Sequence, residues 1–122
     1  MPEKNNYDLE ERLARFAEGV IDLAKKLPRN EINLRLTPQA VSSSGSGGAN
    51  YCEACEAESR KDWRHKLGIV KKELREAKHW LRLIARANDK QADESRALWK
   101  EAHELLLIFS KILRSSQNKD IK

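Results

Sequence analysis

Apolar residues recur along the start of the chain with helical spacing. Leu9, Leu13, Phe16, Val20, Leu23 and Leu27 step by 4, 3, 4, 3 and 4 residues, with charged side chains between them. That is the seam of an amphipathic helix, and Pro28, which has no amide hydrogen to continue the ladder, ends it. The same alternation returns in Trp63, Leu67, Val70, Leu74, Ala77, Leu81 and Ile84, and again in Leu98, Ala102, Leu105, Phe109 and Ile112. Ser59 followed by Asp62 has the spacing of a capping box and opens the third helix. Asn88-Asp89 separates it from the fourth, and the polar tail SSQNKDIK is expected to fray.

The second helix is the ambiguous one, because its sequence SSSGSGGANYCEAC reads at first as a flexible linker. Thr37-Pro38 supplies a cap and a first helical position, so the helix is expected to begin there, after a connection over residues 28–36. Val41, Ser44, Gly48, Tyr51 and Cys55 keep the 3, 4, 3, 4 register of a seam. Each interior glycine costs a helix about 1 kcal/mol relative to alanine, and each serine a few tenths. Packing must therefore supply what propensity withholds, and this helix is expected to be the least stable, with Ser44 and Gly48 admitting close neighbours. Helices over residues 7–27, 37–57, 59–87 and 90–115 of a single domain spanning 1–122 predict an all-α fold, an antiparallel up-and-down four-helix bundle.

Composition agrees: 35% of the residues are charged and 6% aromatic, with three prolines, a balance suited to amphipathic helices rather than strands and turns. No apolar run reaches the about 20 residues that cross a bilayer, and the polar start MPEKNNYDLEE lacks the pattern of a secretory signal, so the expected location is cytoplasmic. The net charge of +5 leans toward an acidic partner such as nucleic acid.

YDLEERLARFAEGVIDLAKKL, SGSGGANYCEA and ESRKDWRHKLGIVKKELREAKHWLRLIA together resemble the four-helix-bundle family of 23S ribosomal RNA intervening-sequence proteins, which is related to the accessory variability determinant of diversity-generating retroelements. The likeness covers roughly residues 7–115 and is most specific at Ser46, Ala49, Asn50, Glu53 and Ala54. It implies a bundle that assembles into a homopentamer without catalytic activity, and a basic partner of nucleic acid and of a reverse transcriptase. It also implies that the glycine- and serine-rich stretch is helical. The chain departs from the family pattern at Ser42, where a basic residue is usual, near Ala40, where a bulkier one is, and at Gly47, where a large aliphatic is. These departures predict weaker polyanion binding by this helix and a weaker grip on the core.

At about 100° per residue, the third helix presents three faces. Beside its seam run Arg60, Arg64, Lys71, Arg75, Lys78, Arg82 and Arg86. A solvated flank and a polyanion-binding stripe both fit this pattern; for the latter, phosphates would displace counterions and make binding salt-dependent. No glycine-aromatic motif or aromatic stacking platform is evident beside these residues, so reading of a particular base sequence is not expected. Ile69, Trp80 and Leu83 occupy the third face, suited either to extra burial or to an oligomer interface.

Other chemistry is thin. Cys52 and Cys55 spell C-x-x-C near a helix end rather than at the N-terminus that would activate a thiol, and no second pair completes a zinc site; they are expected to be small buried thiols. Glu76 and His79 match half of a di-iron signature but fall outside the seam and have no counterpart. His65 and His103 have no partner in sequence. Ser46, Asn50 and Glu53 share one side of the second helix and suit an interhelical or intersubunit polar network, with a ligand site as the weaker reading. No catalytic residue, metal or cofactor is expected. The sequence thus predicts a non-enzymatic homo-oligomer, a pentamer by resemblance, that offers a basic surface to RNA, DNA or a reverse transcriptase-like partner. The alternative is a structural or protein-binding scaffold.

Overall fold

The computed structural model describes the backbone of residues 2–121 and the side chains of residues 9–116. It contains α1 (Pro2–Lys26), α2 (Glu31–Cys55), α3 (Arg60–Ala87) and α4 (Ala92–Ile121), with a 3-10 turn over Asp89–Gln91 before α4. Cross-helix pairs fix the directions. Arg12 meets Glu101 while Lys26 meets Glu94, so α1 and α4 run antiparallel. Asn33 meets Asn88 while Glu53 meets Lys66, so α2 and α3 do as well. Each helix packs on the next in the chain, α2 and α3 most extensively, and α4 closes the ring on α1. This is the expected all-α, up-and-down bundle.

The seams of α1, α3 and α4 form the core, with Leu13, Leu23, Leu67, Leu74, Leu81, Leu105 and Phe109 fully buried. α1 and α4 touch least. Arg12 grips Glu101 through two hydrogen bonds of 2.8 and 3.0 Å. Further along, the Leu98 side chain fills the space over Gly19, where a Cβ would stand 2.8 Å from Leu98 Cδ2.

α2 begins at Glu31, not at Thr37-Pro38. Asn30 is extended, and its side chain accepts a 2.8 Å hydrogen bond from the Asn33 amide; Glu31 then places a carboxylate in the positive first turn. Pro38 is accommodated inside the helix, on its exposed side, where solvent reaches the Leu34 carbonyl that proline leaves without a helical donor. The early start is tied down from afar. Asn33 Nδ2 donates to Asn88 Oδ1 (2.8 Å) and Asn88 Nδ2 donates to Asn33 Oδ1 (2.9 Å), while the same two groups also reach the Pro28 and Ile84 carbonyls. Both residues are buried, and the paired amides leave none of their strong groups orphaned there.

The stretch over residues 42–50 is helical throughout. Its buried hydroxyls are satisfied inside the helix, Ser43 Oγ donating to the Gln39 carbonyl at 2.9 Å and Ser44 Oγ to that of Val41 at 3.1 Å. Gly48, expected with Ser44 to admit a close neighbour, has Leu13 beside it but leaves room for a methyl: a Cβ there would make ordinary contact with Leu13 at 3.7 Å, while one at Gly47 would lie 4.0 Å from Glu73 Cβ and one at Gly45 would meet nothing. The inward register also differs at the end of α2, where Ala54 is buried and Cys55 exposed. α3 starts as its capping box predicts, Ser59 Oγ accepting a 3.0 Å bond from the Asp62 amide. α4 continues beyond residue 115 to Ile121; the side chains of the expected frayed tail after residue 116 lie outside the described residues.

Candidate nucleic-acid interface

Arg60, Arg64, Lys78, Arg82 and Arg86 stand beside α4, and the basic side chains of α3 divide into three groups. Near the start of α3, Arg60 donates to Ser116 Oγ at 3.2 Å, and Arg60, Lys61, Arg64, His65 and Leu113 line a hollow of about 400 Å³. At mid-helix Lys71 is half-buried and Arg75 exposed. Toward the far end, Lys78, Arg82 and Arg86 approach side chains of α4 that the sequence did not connect with the stripe.

Those side chains are Arg96, Trp99 and His103. Lys78 Nζ lies 2.9 Å from His103 Nδ1 and 4.6 Å from the centre of the Trp99 ring. The His103 and Trp99 rings stack at 5.3 Å with 13° between their planes. Arg82, Arg86, Arg96 and Trp99 then line a hollow of about 380 Å³ floored by Leu81 and Ala85. Aromatic rings do stand beside the stripe, and they come from the next helix. A signal existed, since Arg96, Trp99 and His103 follow one another at 3 and 4 residues on the flank beside the Leu98 seam. Arg96 pairs with Asp93 at 3.6 Å, but both are well exposed, and such a pair is weak.

The third face of α3 is mixed. Ile69, Trp80 and Leu83 are all half-buried. Trp80 packs against the core, its indole N–H is buried without a hydrogen-bond partner among the described residues, and its ring meets His79 edge-on. Glu73 lies on this side, and burial followed by the charge of Glu76 raises its carboxyl above the ordinary range.

Ser46, Asn50 and Glu53 are not brought into one network inside the chain. Asn50 Nδ2 donates to the Ser46 carbonyl at 2.9 Å, a bond within α2, whereas Glu53 Oε1 accepts from Lys66 Nζ at 2.6 Å across to α3. That hydrogen bond also raises the Lys66 pKa.

Cys52 and Cys55 are free and exposed, against the expectation of buried thiols. Desolvation and then the carboxylate of Glu10 raise the Cys52 pKa, the reverse of what a reactive thiolate needs. Tyr51 titrates well above its ordinary range, chiefly through burial, and its ring meets Phe109 edge-on at 5.4 Å. Glu76 and His79 are exposed. Among the described residues no group of three or more His, Cys, Asp or Glu side chains is placed to hold a metal ion, and no helix is long and apolar enough to cross a membrane.

The fold and this groove define a small all-α bundle with a basic, aromatic-bordered flank. Residues 5–113 match the family described as 23S rRNA-intervening sequence protein, and the chain belongs to that family. Among solved structures it is similar to a protein of unknown function from the S23 ribosomal protein family of Bacteroides thetaiotaomicron, at 27% identity and a TM-score of 0.80, over 89% of this chain and 97% of that one. No curated protein shows a significant match.

Proposed function

We propose that this protein is a non-enzymatic, cytoplasmic bundle that assembles with copies of itself and presents the α3–α4 flank to nucleic acid or to a nucleic-acid-processing partner. The observation that carries the reading is the convergence of Lys78, Arg82, Arg86 and Arg96 around Trp99, in line with Arg75 and Lys71. Like charges held together on one flank repel, and phosphates relieve that repulsion while releasing counterions. Self-association is supported by Ile69 and Leu83, half-buried outside the core cluster, and by exposed Ile32 and Leu34 on the neighbouring α2. A pentamer follows from the family resemblance.

Light scattering at micromolar concentration tests the assembly, and a monomer there overturns it. Binding of a generic RNA is expected to weaken steeply between low and moderate salt, and the triple change Arg75→Glu, Lys78→Glu, Arg82→Glu is expected to abolish it. Absence of binding at low salt favours the second reading, a protein-binding scaffold. That reading draws on Arg60 and Lys78, which are already engaged within the chain by Ser116 and His103.

A further inference from the structure

We propose that Trp99 is a stacking platform for an unpaired base, so that the nucleic acid fitting this flank is single-stranded; the inference rests on the polyanion-binding reading above and specifies its substrate. Trp99 is half-buried and already oriented. His103 stacks on it, and Lys78 stands over the ring while bonded to His103. A ring held in place loses little freedom when a ligand arrives. The indole also borders the hollow of about 380 Å³, whose lining includes neither His103 nor Lys78.

The hollow has the chemistry of a nucleotide site. Leu81 and Ala85 make its floor apolar, the indole gives it a flat aromatic wall, and Arg82, Arg86 and Arg96 stand around it. A flat, sequence-tolerant aromatic contact for a base beside guanidinium groups for the backbone is the arrangement single-strand binders use. A duplex cannot use it, because its bases are stacked on one another and A-form geometry withholds their faces from side chains. Asp93 opposes binding mildly: it pairs with Arg96 from a fully exposed position, and an arriving phosphate competes with it.

The test uses the whole protein at low salt with a 5-iodouracil-labelled oligouridylate and an RNA duplex of equal length. The single strand is expected to bind more tightly, and irradiation to cross-link the labelled base to Trp99, located by mass spectrometry. Trp99→Ala should weaken single-strand binding by about tenfold, far more than it weakens duplex binding, while Trp99→Phe, which keeps a flat ring, should retain most of the affinity. Equal binding of both nucleic acids, with cross-links elsewhere and no effect of Trp99→Ala, overturns the stacking inference and leaves the basic-flank reading intact. If neither RNA binds, that reading falls and the inference falls with it. The cross-link is read on the unmodified protein, so a folding defect in a variant does not blur the outcome.

Discussion

α2 and α3 lie side by side with similar lengths, 25 and 28 residues, yet they are helical for different reasons. α3 is helical by local chemistry. It has a side-chain cap at Ser59, a continuous apolar seam and strong helix formers such as Lys, Arg, Glu, Leu and Ala on its flanks. α2 carries Gly45, Gly47 and Gly48 with four serines in its middle, and its helicity is imposed by the neighbours it packs between. The contrast separates two meanings of a helical pattern: register alone tells where a segment can dock, whereas propensity tells whether it needs docking to form.

Substitutions in the two helices should therefore differ in size and sign. The largest effect is expected in α3, where Leu74→Ala leaves a hole in a fully buried position and should lower unfolding free energy by about 2–5 kcal/mol in a denaturant titration. Next comes the link between the two helices: Asn88→Ala leaves the buried Asn33 Oδ1 without its donor and should cost about 1–3 kcal/mol, seen as a lower thermal midpoint. α2 should respond in the opposite direction. Gly45→Ala meets no atom within 4 Å and should raise stability by about 1 kcal/mol; a lower thermal midpoint instead would mean that a second copy packs against this face.

The smallest effect is expected at Glu73, beside Gly47. Its folded-state pKa is raised, first by burial and then by Glu76, so its contribution to stability is present below the ordinary carboxylate range and is lost as pH rises through the raised value. Glu73→Gln should thus stabilise the protein slightly at neutral pH. The gain should vanish in acid, a difference that melting curves across pH will register.

The seams of α1, α3 and α4 could be read directly because Leu13, Val20, Leu67, Leu74, Leu105 and their neighbours bury at the spacing a helix dictates. The start of α2 could not. Asn30-Glu31 and Thr37-Pro38 are both acceptable caps, and the choice between them is supported by Asn88, 55 residues from Asn33 in sequence. The basic side chains of α3 were likewise visible as a row, but Trp99 joins them only through the packing of a second helix. Its place beside Lys78 depends on how far α4 is displaced along α3, a quantity that no short window of sequence contains.

One contact that bears on that displacement lies on a neighbouring flank of α4. Leu98, the residue before Trp99, sits in the notch that Gly19 leaves in α1. A side chain seated in such a notch resists sliding, so the Gly19–Leu98 contact helps to fix the height of α4 against α1. The first helix thereby bears on the level at which Trp99, on the next flank of α4, meets Arg82 and Arg86 of α3. A methyl group at position 19 would stand 2.8 Å from Leu98 Cδ2, and the tip of that leucine would have to turn aside.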